Sequence, residues 1–145
     1  MGKSGDVAEY GADLLAAQER RYRGLIETMP SGVAVYEAVD GGRDFVFREF
    51  NAAGERMERT SRQEVLGRRV TEVFPGVVDL GFLEVFRRVH STGVMEFMPE
   101  SRYFDERMGE SFRENWIYRL PSGEIVAIYN DVTDRVKARE ERRKL

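Results

Sequence analysis

From Val7 to Met29 the positions Leu15, Gln18, Tyr22, Leu25 and Met29 recur at alternating spacings of three and four, the period of a helical stripe. The pattern predicts an N-terminal helix, weakened in its first turns by Gly11 and stopped by Pro30, Ser31 and Gly32. Two β-rich runs follow, Val33 to Val39 and Asp44 to Phe50. Asp40-Gly41-Gly42 between them tolerates the positive φ of a tight hairpin, so the two runs are expected to pair antiparallel. Asn51 is placed to cap a short helix reaching Met57, and Ser61 with Glu64 forms a capping box for another that ends near Gly67. A longer helix is expected from about Gly81 to His90, with Asp79 as its cap. Leu83, Phe86 and Val89 share one face of it, and Gly93 lies just beyond its end. Strand signals return in Val94 to Tyr103, Ser111 to Leu120 and Glu124 to Val132, the last two joined by a turn at Pro121-Ser122-Gly123. The final segment, Asp134 to Leu145, is charged almost throughout, so its helix is expected to lean on a partner or fray.

The reading is therefore helix, two strands, three helices, three strands, helix: an α+β chain with an antiparallel sheet. Phe47, Phe50, Met57, Leu66, Val73, Phe74, Leu83, Phe86, Phe97 and Trp116 are the expected core, each contributing about 1.5–3 kcal/mol when buried. At 145 residues and 41% hydrophobic content, one domain is the expectation. The formal net charge of −3, from 23 basic and 26 acidic residues, creates no field that would draw in nucleic acid or an anionic membrane. No apolar run approaches the roughly 20 residues of a membrane span, and no apolar segment follows a basic start, so a cytoplasmic location is expected. Cysteine is absent, which removes disulfides, thiolate metal sites, cysteine nucleophiles and thiol-linked chromophores together. There is no nucleophile elbow, no Gly-rich phosphate loop and no histidine pair for zinc, and the reading is non-enzymatic.

The element order closes on GEIVAIYNDVTDR (Gly123 to Arg135), which resembles the PAS fold, whose last strand commonly ends in an Asp-Ile/Val-Thr signature leading into a signalling helix. Asp131, Val132 and Thr133 fit that signature. RYRGLIETMPSGVAVYE, FNAAGERM and SRQEVLGRRVTEVFP match further family regions in the right order, from about Tyr22 to Arg135. RYFDERMGESFRENWIY is similar to the hairpin of PAS domains attached to bacterial histidine kinases and diguanylate cyclases. The resemblance implies a five-stranded antiparallel sheet with short helices on one face. It divides the chain into an N-terminal flanking helix (1–21), a PAS sensor domain (22–133) and a C-terminal linker or signalling helix (134–145).

The resemblance also implies a cavity between helices and sheet, for which Phe50, Met57, Leu66, Phe74, Phe86, Phe97 and Tyr129 are the candidate lining residues. Tyr129 aligns with the position that light-sensing LOV domains use for a flavin-contacting glutamine; as a core tyrosine it would bond a backbone group instead. Strand alternation turns Tyr129 the same way as Ala127 and Ile125. Asp131, Thr133 and Arg135 form the candidate signal junction, where a short polar side chain also serves as a helix cap. His90 is the only histidine, on the helix that carries the haem ligand in haem-binding PAS sensors, yet at the helix end it also suits the macrodipole. No cofactor is required, and the lack of cysteine argues against flavin photochemistry. The function implied is a sensor module that binds a small ligand or partner and signals to an attached effector. The alternatives are a ligand-free dimerisation adaptor and, least favoured, a haem or flavin redox sensor. A homodimer through the flanking helices is expected, because the N-terminal stripe needs a cover; Val126 and Ile128 on the outer sheet face offer another.

Overall fold

A computed structural model describes residues 3–105 and 109–145. Among them the chain forms α1 (Lys3–Thr28), β1 (Gly32–Val39), β2 (Asp44–Phe50), α2 (Ala52–Glu58), α3 (Arg62–Val65), α4 (Val70–Val73), α5 (Gly76–Asp79), α6 (Phe82–Thr92), β3 (Glu96–Asp105), β4 (Gly109–Arg119), β5 (Ile125–Asp131) and α7 (Thr133–Lys144). The expected β3–β4 hairpin therefore stands in the pairing of the two strands, and Glu106 to Met108 lie outside the described residues. The strands form one antiparallel sheet in the order β2-β1-β5-β4-β3. The first and last strands to leave the helical segments thus meet at the sheet centre, where Val33 faces Ile128 and Val35 faces Val126.

One face of the sheet carries the main core. Tyr36, Phe45, Phe47, Ile117, Ile125 and Ala127 pack there against Val65, Val70, Leu83, Phe86 and Val89 of the helices. The opposite face carries a smaller cluster of Val33, Val35 and Val126, covered by Ile26, Met29, Tyr118, Leu120 and Ile128. The end of α1 thus lies over its own sheet. Of the expected stripe Met29 makes this contact, while Leu15, Tyr22 and Leu25 stay exposed, because Ile26 is the helix residue turned to the sheet and a helix buries only one side.

Local chemistry explains most element boundaries. Asp40, Gly41 and Gly42 take consecutive positive φ values of 54°, 67° and 86°, which turns β1 into β2. Asn51 caps α2 by accepting the Gly54 N–H at 2.9 Å. Gly93 ends α6 in the left-handed region at φ 72°, with its N–H on the Val89 carbonyl. The α3–α4 connection lies along the free edge of β2, where Phe47 N–H donates to Arg68 and its carbonyl accepts from Gly67; the sheet edge is thereby covered.

Several expectations are corrected. Five helices, not three, separate β2 from β3. The Ser61–Glu64 capping box does not form: Glu64 accepts the Thr60 hydroxyl at 2.9 Å, and Glu55 instead accepts the Arg62 N–H at 2.9 Å. Asp79 ends α5, and Gly81, at φ 81°, takes the position before α6. Phe97 and Trp116 are stacked 4.8 Å apart on the outer face and do not join the helix-facing core. Finally, α7 docks on its own domain through buried Val136 and through Arg139, which grips Glu100 with contacts of 2.5 and 2.8 Å.

Candidate functional site

Between the helices and the core face of the sheet lies a cavity of about 420 Å³. Its apolar walls come from Tyr36 on β1, Phe47 and Phe50 on β2, Val70, Val73, Phe74 and Val77 of the α4–α5 segment, and Phe82 and Phe86 on α6. The far wall is polar: Arg113 and Asn115 on β4, Tyr129 on β5, Tyr103 and Ser111 of the hairpin, and Glu58 at the end of α2. Register explains the gathering, since Asn115 stands opposite Tyr129 while Ile117 stands opposite Ala127 on the same face.

Of the seven candidate lining residues, Phe50, Met57, Phe74, Phe86 and Tyr129 line this cavity. Leu66 and Phe97 do not. Leu66 follows α3 on the far side of β2, 37% exposed and beside Ile26 and Arg62, while Phe97 points to the outer face because it is one residue out of phase with Met98. His90 sits at the last turn of α6, against Gly42 and edge-on to Phe45 with ring centroids 6.2 Å apart, and is not a cavity residue. The one imidazole of the chain therefore gives a haem in this cavity no axial ligand.

Arg113 is the charged centre of the wall and is 7% exposed. Its Nη1 donates to Glu58 and its Nη2 reaches the Met57 carbonyl at 3.3 Å, joining β4 to the end of α2. Its guanidinium carbon lies 4.5 Å from the Tyr103 ring centre and 5.9 Å from that of Tyr129, within cation–π range. Burial lowers its proton affinity, while Tyr129 and Asp131 act in the opposite sense. Burial likewise pushes the phenols of Tyr36, Tyr103 and Tyr129 upward, so all three keep their protons and remain potential donors. Two donors of this wall are buried without an acceptor in hydrogen-bonding geometry: Arg113 Nε, and Asn115 Nδ2, which adjoins the Tyr103 hydroxyl.

Tyr129 is held by close packing. A Cβ at Gly32 would come within 2.5 Å of its ring, and one at Gly54 within 3.0 Å of its hydroxyl and 2.6 Å of the Phe50 ring. Glycine at both positions is what lets Tyr129 lie flat between β1 and α2.

The exit junction begins directly beside Arg113. Phe112 donates its N–H to Thr133 Oγ1 at 3.0 Å and accepts from Val132 N–H at 2.8 Å, so the β4–β5 ladder runs on into α7. Asp131 Oδ1 accepts the Thr133 N–H at 2.9 Å, satisfying one orphan donor of the helix start. Arg135 reaches Glu114 at 3.3 Å, and Glu114 also accepts from Asn130 at 3.2 Å. Asp131 itself has no ion pair among the described residues.

The sequence reading missed Arg113, Asn115, Glu58, Tyr103 and Tyr36. In SFRENW hydrophobicity favours Phe112 and Trp116 as the buried parity, whereas the observed parity buries Arg113, Asn115 and Ile117. The available signal was Ile117, in phase with the two polar residues and the innermost apolar position of β4.

A sheet in the order β2-β1-β5-β4-β3, helices on one face and a cavity beneath them define a PAS-type domain. The family model described as PAS fold matches residues 26–137, and the chain belongs to that family. Among solved structures, a domain of a sensory box sensor histidine kinase/response regulator from Geobacter sulfurreducens matches with TM-score 0.63 and 22% identity, over 81% of this chain and 96% of that one. The PAS domain of an HTR-like protein from Haloarcula marismortui matches with TM-score 0.59 and 20% identity, over 85% and 98%. The photoactive yellow protein domain of the sensor histidine kinase Ppr from Rhodospirillum centenum matches with TM-score 0.57 and 19% identity, over 74% and 98%. At these identities the likeness shows the fold. No curated protein matches the sequence.

Proposed function

We propose that this chain is a non-catalytic sensor module: residues 22–133 take up a small ligand in the cavity and α7 carries the resulting change to an attached effector. One observation carries the reading. Arg113 lines the cavity while its neighbour Phe112 bonds Thr133 at the start of α7, so a ligand that shifts β4 acts directly on the exit helix. Phe50, Met57, Phe74, Phe86 and Tyr129 are the proposed ligand-facing residues, and Asp131, Thr133 and Arg135 the proposed transmitters. Effectors such as a histidine kinase of a two-component system fit the sensor kinases among the solved neighbours. A cytoplasmic location accords with the lack, among the described residues, of any helix long and apolar enough to cross a membrane.

A second reading, the dimerisation adaptor, draws on α1. Val7, Tyr10, Leu14 and Leu15 are all exposed there, an apolar run that a second α1 would cover. The two readings coexist if α1 pairs while the cavity senses. Native mass spectrometry of the purified chain combined with a thermal-shift screen of metabolites separates them. Stabilisation by a defined compound, lost when Tyr129 is replaced by Leu, supports sensing; tight dimers indifferent to every compound overturn it in favour of the adaptor.

A further inference from the structure

The chemistry of the cavity narrows what it takes. Arg113 and Asn115 stand two residues apart on the inner face of β4, 7% and 4% exposed, and both line the cavity. Arg113 Nε has no acceptor and Asn115 Nδ2 has none in hydrogen-bonding geometry, only the adjoining Tyr103 hydroxyl, and buried polar groups in folded proteins are almost always paired. A ligand that presents acceptor oxygens therefore gains what these two groups lack. Charge then decides between a neutral acceptor and an anion. Glu58 already neutralises the Arg113 guanidinium, and the Met57 carbonyl occupies its remaining terminal nitrogen. A carboxylate entering beside Glu58 would leave the buried group with an excess negative charge, which a desolvated site disfavours. Shape adds a third restriction: the opposite wall is built of the rings of Tyr36, Phe47, Phe50, Phe74 and Phe86. A cavity of about 420 Å³ with such walls suits one or two fused rings.

We infer that the cavity binds a neutral, flat aromatic compound bearing a carbonyl-type acceptor, such as a ketone, lactone or quinone oxygen, received by Arg113 Nε and Asn115 Nδ2. The inference rests on the reading of the cavity as a ligand site and names the ligand class for it. The aromatic rings supply affinity, and the two donors supply selection, since an analogue without the oxygen leaves them unpaired.

Three probes of near-equal size test it by isothermal titration against the full chain: acetylnaphthalene, ethylnaphthalene and naphthoate. Acetylnaphthalene is expected to bind about tenfold more tightly than ethylnaphthalene, the factor typical of one satisfied buried hydrogen bond, and also more tightly than naphthoate. In Asn115→Leu, checked for native circular dichroism, the preference for the acetyl over the ethyl compound should shrink while ethylnaphthalene binding persists. Equal binding of the acetyl and ethyl compounds to the unmodified chain overturns the acceptor inference and leaves the ligand site standing. Tightest binding by naphthoate overturns it in favour of an anion site. Binding of none of the three overturns the ligand class, and if the metabolite screen also finds no ligand the sensing reading falls with it.

Discussion

Asn51 is 1% exposed, and all of its hydrogen-bonding capacity is used to tie three elements together. Its Oδ1 accepts from Val33 N–H at 2.8 Å and Gly54 N–H at 2.9 Å; its Nδ2 donates to the Ile26 carbonyl at 2.8 Å and the Ser31 carbonyl at 2.9 Å. The Ile26 bond has a specific cause: the helical partner of that carbonyl would be the N–H of residue 30, and Pro30 has none. Asn51→Ala removes the cap of α2, costing about 0.5–2 kcal/mol. It also strands the buried Val33 N–H of β1 and the part-buried Ile26 and Ser31 carbonyls, at about 1 kcal/mol for each group. The expected loss is about 3–5 kcal/mol, a large part of the stability of a typical domain, with Tm lowered by roughly 10–15 °C. Urea unfolding followed through the single Trp116 measures it, with the midpoint falling and the slope unchanged. Asn51→Asp is the control. It keeps both accepted bonds but turns carboxylate oxygen toward two carbonyls, so it should be as damaging at neutral pH and recover partly on acidification, when the protonated acid donates. A loss below about 1 kcal/mol for Asn51→Ala would refute the argument that this side chain pins α1, β1 and α2 together.

Three other expectations follow from the same geometry. Asp131→Ala should disturb signal output of the full-length protein more than it lowers Tm, since the lost helix-start bond is exposed and costs about 0.5–1 kcal/mol; an equal loss of both would reduce Asp131 to a structural cap. The Arg139 guanidinium bonded to Glu100 holds that carboxyl below the usual carboxylate range. A depressed acid stabilises the docked state above its unfolded pKa and loses that contribution as pH falls through the folded one. Docking of α7 should therefore weaken below about pH 4, read as rising amide exchange in α7, and Arg139→Ala should abolish that pH dependence; an unchanged profile in the variant would exclude the pair as its source. Gly32→Ala should displace the Tyr129 ring, seen as shifted resonances for Tyr129 and Gly54 with a lower Tm; unaltered Tyr129 signals would rule out the tight fit.

Turn and cap chemistry is local, and it was legible. The Asp40-Gly41-Gly42 hairpin, the Asn51 cap, the Gly93 terminus and the strand-to-helix junction at Asp131 to Thr133 all depend on which backbone angles a residue tolerates or which nearby N–H its side chain reaches. Together with the Asp-Val-Thr signature they identified the fold from residues alone. The short helices α4 and α5 were not legible, because four-residue turns carry no periodicity and are stabilised by what they pack against. Nor was the face of β4. Its hydrophobic parity favoured Phe112 and Trp116, but apolar residues stand on both sides of the sheet, in the helix-covered core on one and, on the other, in the small cluster under the end of α1 and the Phe97–Trp116 stack. The register against β5 alone settled that Arg113 and Asn115 face inward beside Tyr129. A strand's alternation is written in its sequence; which of its two faces meets the cavity is decided by partners far away along the chain.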